Sequence, residues 1–504
     1  MSGSIADQLD PIFKPTSVAV IGASNSPAKW GGRIIASALS SAFRGRIYPI
    51  NPREKEIHGI KAYPDVTAVP GDVDLAVFTV PAGQMPGVME SCVRKGVRGG
   101  VIVSADFAET GERGRALEEE TLRLARAGGL RFVGPNGNGI WTSAVGLNVS
   151  PFPLPAPGPV AFISQSGSFN GIAVRAAAAK GFGLSKFISI GNQADLTAAD
   201  YLEYLGQDDD TKVMALYMEG FKDGRRFCEV AREVSRKKPI LIYKGGRSGA
   251  GSRAAVSHTA SIAGSDRVFN AMCRQAGLIR VYEIGHLFVM AEALFSQPIP
   301  PGGRVAVVAN GGQGVAILDY LDSLGVRVPE FRPEDKLRLK EILPPHAPIP
   351  TNPVDFAGSS PEAAQEVRVV EALARLDYID GIVTNVPPER AFGHPSLAAE
   401  KQAVLACLEA FCRLPETYGK PIVTQQWQAS PMTDEMLKNA RIPIFDTPED
   451  CARAMYALVK YAEIRKRGLE GPDQGAAEAK DRAAGRGPRP AAGKGGRANG
   501  RTVF

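Results

Sequence analysis

Short apolar runs that break off into glycine and serine recur along this chain, with helical patterns between them. That alternation restricts its fold more than any other feature. SVAVIG (17–22), RIYPINP (46–52), DLAVFTVP (74–81), GGVIVSADF (99–107) and LRFVGPNG (130–137) are runs of this kind. AGQMPGVMESCVRKG (82–96) and RGRALEEETLRLARAGG (113–129) carry helical spacing between them. Strands separated by helices in this way imply a parallel, doubly wound sheet.

The pattern stops twice and restarts. PFPLPAPGPV (151–160) places five prolines in ten residues, a composition excluded from helices and central strands, so a linker is expected there. VAFISQSGS (160–168), FISIGNQAD (187–195), VMALYMEG (213–220) and PILIYKGG (239–246) follow as strands ending in small-residue turns. After QPIPPGG (297–303) a third series opens with RVAVVANGGQG (304–314) and continues through DGIVTNVPP (380–388), KPIVTQQW (420–427) and IPIFDTPED (442–450). The expected architecture is α/β, with three doubly wound Rossmann-like or flavodoxin-like domains at 10–148, 158–295 and 302–464. The remainder, 468–504, is poor in bulky apolar residues and is expected to be a disordered tail.

Seven Lys/Arg against three Asp/Glu in the stretch 471–504 supply most of the formal net charge of +6. The folded part is therefore near neutral, which argues against a nucleic-acid-binding body. The six cysteines form no CxxC pair and no His-rich cluster. Reduced thiols, a cytoplasmic location and no metal site are expected. MSGSIADQLDPIF at the start lacks a charged n-region and an apolar h-region, and no apolar run reaches membrane-spanning length, so no signal peptide and no membrane partner are expected.

Four stretches carry candidate chemistry. VIGASNSPAKWGG (20–32) is a strand, a small-residue turn and a helix start, where Gly22, Ala23 and Ser24 let backbone N–H groups approach a phosphate and Lys29 adds a charge. GxGxxG is absent, and the second strand ends in YPINP rather than an acidic residue. A nicotinamide dinucleotide site is thereby disfavoured, and coenzyme A fits better; a purely structural βα turn is the plainer reading. ISQSGSFNG (163–171) offers Ser166, Gly167 and Ser168 to a transferable phosphate, without the GxSxG of a serine nucleophile. LYMEG (216–220) ends a strand on Glu219, a turn acceptor or a site residue. KGGRSGAGSRAAVSHTASIAGSD (244–266) sets His258 on a glycine-rich, cationic loop before a helical pattern. A neutral imidazole beside an anion pocket can attack phosphorus.

SHTASIAGSD resembles the SHTGSLAGSD-type phosphohistidine loop of the NDP-forming acyl-CoA synthetases. VIGAS, YPINP, TVP, VGPN, SQSG, SIGNQAD, LYMEG and KGGRS stand in that family's order. The similarity is greatest to the alpha subunit of ADP-forming acetyl-CoA synthetase, with succinyl-CoA synthetase alpha a more distant relative. The resemblance implies a CoA-binding domain, a phosphohistidine-bearing domain and a third ligase-CoA-type domain. It implies that His258 is phosphorylated, that Glu219 orients it, and that Ser166, Gly167 and Ser168 cradle phosphate. Gly22, Ala23, Ser24, Lys29, Asn51, Pro52, Pro81 and Asn136 are implied to contact coenzyme A. Asp106 replaces a glycine common in the family, and GPNGNG (134–139) replaces GPNCLG. Both changes lie near the expected thioester. No segment here matches an ATP-grasp module. ATP or ADP and Mg2+ are therefore expected on a separate beta subunit in a hetero-oligomer, with a small carboxylic acid, CoA and phosphate as substrates. A CoA-binding regulatory protein without turnover is the alternative.

Overall fold

The computed structural model describes residues 3–251, 253, 265–358, 363–387, 398–426 and 431–470. Three parallel sheets share one strand order. The first runs Arg46–Ile50, Ser17–Ile21, Leu75–Phe78, Gly99–Ile102, Arg131–Val133. The second runs Ile279–Val281, Ile240–Lys244, Val213–Met218, Pro157–Ser164, Leu184–Ser189, and then adds Ile140–Thr142 and Leu147–Val149 antiparallel. The third runs Val354–Asp355, Val305–Ala309, Gly381–Asn385, Ile422–Gln425, Ile444–Phe445.

In each sheet the first strand in the chain lies between the second and the third. The chain reverses its direction of winding there, so the helices on either side diverge and leave a crevice at the strands' carboxyl ends. Those crevices fall at Gly22 and Thr79 in the first sheet, and at Ser166 and Glu219 in the second. In the third they fall at Asn310 and Val386. Strands such as Ser17–Ile21, Val213–Met218 and Val305–Ala309 are buried along their whole length, because helices cover both faces.

The apolar cores are continuous between units. One cluster joins Val18, Leu75 and Val133 of the first sheet to Ile163, Ile188 and Met214 of the second. Another joins Phe162, Phe187 and Ala215 to Val307, Val383 and Val423 of the third. The helix His286–Ser296 and the terminal helix Pro448–Glu470 pack against each other within the latter cluster.

Several expectations need correction. The proline-rich stretch is not all linker, because the central strand begins at Pro157. Pro157 and Pro159 occupy its irregular first residues, where the register with Leu184–Ser189 shifts, and the Pro159 carbonyl still accepts from Lys212 N. A boundary at 148 does not separate the first two sheets, since the 140–149 hairpin completes the second. A helix at Ile5–Phe13, which the strand–helix rhythm did not announce, precedes the first strand. Ser4 and Asp7 cap it reciprocally. Its Phe13 stacks on Tyr204 at 5.0 Å, a buried ring worth roughly 1.5–3 kcal/mol. Residues 468–470 belong to the terminal helix, and the rest of the expected tail lies outside the described residues.

All six cysteines are free thiols. Among the described residues no helix is long and apolar enough to cross a membrane.

Candidate active site

In the first sheet, Gly22 takes φ +87° and donates its N–H to the Ile50 carbonyl. The turn is packed from two sides. A Cβ on Gly22 would lie 2.9 Å from Thr79 Oγ1, and one on Gly31 would lie 2.0 Å from the Gly22 carbonyl oxygen. Glycine at both places lets the helix Trp30–Ser40 begin directly against the turn. Lys29 is its N-cap residue, in extended conformation with no side-chain cap, so the first N–H groups of that helix lack a side-chain acceptor and suit an anion. The Lys29 side chain is exposed.

Asn51 ties the neighbouring turn to this one. Its Nδ2 donates to the Ala23 carbonyl at 2.8 Å, and its Oδ1 accepts from Arg53 N at 2.8 Å. Ser24 Oγ accepts from Ser26 N. Pro52 and Pro81 stand exposed at the ends of the flanking strands. Gly22, Ala23, Ser24, Asn51, Pro52 and Pro81 thus gather on one rim.

Asn136 lies on a different element, the loop that bridges the first two sheets. It takes φ +59° after the cis Gly134–Pro135 bond. Its N–H donates to the Ser104 carbonyl and its Nδ2 to Asn192 Oδ1. Asn192 in turn donates to Glu109 and Glu118. Two residues on, Asn138 N–H donates to Ser189 Oγ at 2.8 Å, and the Asn138 carboxamide rests against Gly167, where a Cβ would meet Nδ2 at 2.4 Å. The same loop therefore reaches both Ser104, just beyond the strand Gly99–Ile102, and the serine turn. Asp106 sits on the neighbouring turn at φ +72°, held by its N–H to Glu109 Oε1. That left-handed conformation is the one glycine adopts freely and aspartate tolerates. The Asp106 side chain is exposed.

The serine turn opens the helix Gly167–Ala179. Ser166 is its N-cap residue but makes no side-chain cap; its Oγ instead lies 3.1 Å from Ser168 Oγ. Ser164 Oγ donates to the Ser166 carbonyl and fixes the turn. Uncapped N–H groups and two hydroxyls thus share one helix start, a cradle suited to a phosphate. Beside it, Gln165 Oε1 accepts from Glu219 N at 2.9 Å and Gly220 N at 3.1 Å. Glu219 is buried, and among the described residues its Oε2 has no partner, nor has either amide atom of the fully buried Asn170.

Met218 is the register partner of Lys244, so Gly245 and Gly246, where the chain departs toward His258, flank Glu219. His258 itself lies outside the described residues. The helical pattern expected after it is present at Asp266–Ala276. Lys244 is buried; its Nζ faces the carbonyls of Gly245 and Gly246 at 3.5 and 3.3 Å. Burial pushes its ionisation below the ordinary lysine value, against the pull of Asp266. Phe269 lies between the Lys244 ammonium and the Arg280 guanidinium, and Arg280 pairs with Asp266. Both ends of the histidine segment are anchored by this stack.

Sequence reasoning passed over Gln165, Asn138 and Gly245, although all three sit inside motifs it singled out. Their importance lies in contacts between strands, which spacing along one strand does not display.

Two family models match, a CoA binding domain over residues 16–142 and a succinyl-CoA ligase like flavodoxin domain over 157–294. The chain is 39% identical over 467 residues to the acetate–CoA ligase (ADP-forming) II subunit alpha of Pyrococcus furiosus, covering 92% of this chain and 100% of that one. It is 40% identical over 473 residues to the acetate–CoA ligase (ADP-forming) II of Archaeoglobus fulgidus, covering 91% of this chain and 67% of that one. Among solved structures, the dinucleotide forming acetyl-coenzyme A synthetase 1 of Ca. Korarchaeum cryptofilum, in complex with phosphate and ADP, superposes with a TM-score of 0.80 at 33% identity. It covers 92% of this chain and 98% of that one. Fold and turns define a CoA-binding member of the acid–thiol ligases. The chain belongs to the ADP-forming acetate–CoA ligase family, where it matches the alpha subunit from end to end.

Proposed function

We propose that this chain is the alpha-type subunit of an ADP-forming acyl-CoA synthetase, converting acid, CoA and ATP reversibly into acyl-CoA, ADP and phosphate. In the thioester-consuming direction a phosphate oxygen attacks the acyl carbonyl and the CoA thiolate leaves. His258 then attacks the phosphorus of the acyl phosphate, the bridging P–O bond breaks, and the carboxylate leaves with its electron pair. The phosphohistidine passes its phosphoryl group to ADP on a separate ATP-grasp beta subunit, which also holds Mg2+. Ser166, Gly167 and Ser168 bind the phosphate, and Glu219 orients the imidazole. Gly22, Ala23, Ser24, Lys29, Asn51, Pro52, Pro81 and Asn136 contact coenzyme A.

One observation carries this reading. Among the described residues, no donor reaches the buried Glu219 Oε2, which lies next to an uncapped helix start and to the strand end from which the His258 segment leaves. A buried carboxylate oxygen is costly unless a donor reaches it, and an imidazole N–H is such a donor. The alpha-subunit relatives support a partner chain, and the solved relative with phosphate and ADP supports the phosphoryl chemistry.

The test combines the chain with its beta partner, radiolabelled ATP and Mg2+. Acid-labile, base-stable label on the wild type, absent from His258→Ala, is expected. No label in the presence of a demonstrably active partner overturns the reading and favours a CoA-binding protein without turnover.

A further inference from the structure

GPNGNG (134–139) is clamped on both sides of Asn138. A Cβ on Gly137 would lie 2.5 Å from the Ser189 carbonyl oxygen, and one on Gly139 would lie 1.8 Å from that of Val149. Between them, Asn138 N–H donates to Ser189 Oγ at 2.8 Å. The half-buried Asn138 side chain therefore springs from a fixed backbone. Its carboxamide reaches the first residue of the cradle helix, where a Cβ on Gly167 would lie 2.4 Å from Nδ2 and 2.9 Å from Oδ1. Position 167 has room for a hydrogen and for nothing larger.

Asn170 follows Gly167 by three residues on the helix Gly167–Ala179, a spacing that makes the two positions neighbours on the helix surface. It is fully buried, and among the described residues neither of its amide atoms has a partner. Core packing does not account for it, because an aliphatic residue would fill the place without stranding a donor and an acceptor. Two amides thus border the first turn of the cradle helix. The N–H groups and serine hydroxyls of that turn suit phosphate, so the amides are left for what is attached to the phosphorus. In an acyl phosphate that is the acyl group. An alkyl tail placed here would bury the amides without partners. A tail with a hydroxyl would answer them, since an O–H both donates and accepts. A second carboxylate fits less well: neither amide carries charge, and the buried Glu219 stands beside the same turn.

We propose that the acid handled at this site is a short hydroxycarboxylic acid, and that Asn138 selects it by hydrogen-bonding its hydroxyl. This inference rests on the proposed acyl phosphate chemistry and names the acid which that chemistry leaves open.

The test compares each unbranched acid from acetate to butyrate with its ω-hydroxy counterpart, with succinate as the charged comparison, by CoA thioester formation in the reconstituted complex. At the chain length that reacts best, kcat/KM of the wild type is expected to favour the hydroxy acid at least about tenfold. Asn138→Leu keeps the size of the side chain and removes both hydrogen-bonding groups. It is expected to lose that preference, and Asn138→Ala to lose it as well. Each preference is a ratio within one protein, so a loss of stability or of overall activity in a variant does not imitate the effect. A wild type that prefers the alkanoic acids or succinate overturns the proposal, as does an Asn138→Leu enzyme with the wild-type ratio. No thioester from any acid, with a demonstrably active partner present, overturns the proposed function instead, and this inference with it.

Discussion

Glu366 shows how one side chain sets a pH dependence. It is fully buried on the helix Ala363–Ala374, and Thr384 Oγ1 donates to its Oε1 at 3.1 Å. Burial pushes its carboxyl from 4.5 to about 8, with the Thr384 hydrogen bond pulling back. Between those two values the folded chain holds a proton that the unfolded chain has released. Stability therefore falls as pH rises from about 4.5 to about 8, by an amount on the order of 5 kcal/mol if this group acts alone. Glu366→Gln keeps a partner for Thr384 and carries no titration. Its stability relative to wild type is expected to increase steadily across that pH window in denaturant titrations, and a constant difference would contradict the assignment. The identity of Glu219 and the serines as site candidates was legible in the motifs. The burial of Glu366 was not, because a glutamate in an amphipathic pattern reads as a solvated residue until the covering helix is known.

At the scale of elements, the same junction follows the first parallel strand of each sheet: a buried strand end, a turn and a helix without a side-chain cap, at Trp30, Gly167 and Gly312. The first depends on the closeness of its helix. Gly31→Ala would force a Cβ to within 2.0 Å of the Gly22 carbonyl, so the helix has to retreat from the turn proposed above to bind CoA. CoA affinity, read by calorimetry, is expected to drop at least about tenfold, the scale of a displaced phosphate contact. Gly87→Ala serves as the control: it lies in the helix Met85–Lys95 with nothing within 4 Å of the new Cβ, and it is expected to stabilise the protein by up to about 1 kcal/mol while leaving CoA affinity unchanged. Strand positions were legible because apolar runs ending in glycine have one good use in an α/β sheet. The start of the central strand inside the proline cluster was not, since prolines at 157 and 159 argue against a strand unless its edge is irregular. The Ile5–Phe13 helix escaped for a related reason: Pro11 breaks its pattern, and its stability comes from Tyr204 and Thr142, far away in the chain.

For the whole molecule, Asp195 is a buried polar fastening between the first two units. Its fully buried carboxylate accepts from Arg131 Nε at 2.9 Å, Phe132 N at 3.0 Å and Arg126 Nε at 3.2 Å. Asp195→Ala strands the buried Arg131 guanidinium and is expected to cost roughly 3–5 kcal/mol of unfolding free energy. Glu330→Ala, which removes only an exposed pairing with Lys336, is expected to change it by less than about 1 kcal/mol. Comparable effects from the two would contradict a role for Asp195 as a fastening. The order of three units was legible from the restarts of the strand pattern, but their seams were not. The 140–149 hairpin crosses from one unit's sequence into the next unit's sheet.

The middle sheet is bonded by oily contact on both of its faces, to the first sheet through one cluster and to the third through the other. A unit whose core continues into both neighbours resists being pried from either, so whatever reaction the crevices support has to proceed without parting the three sheets.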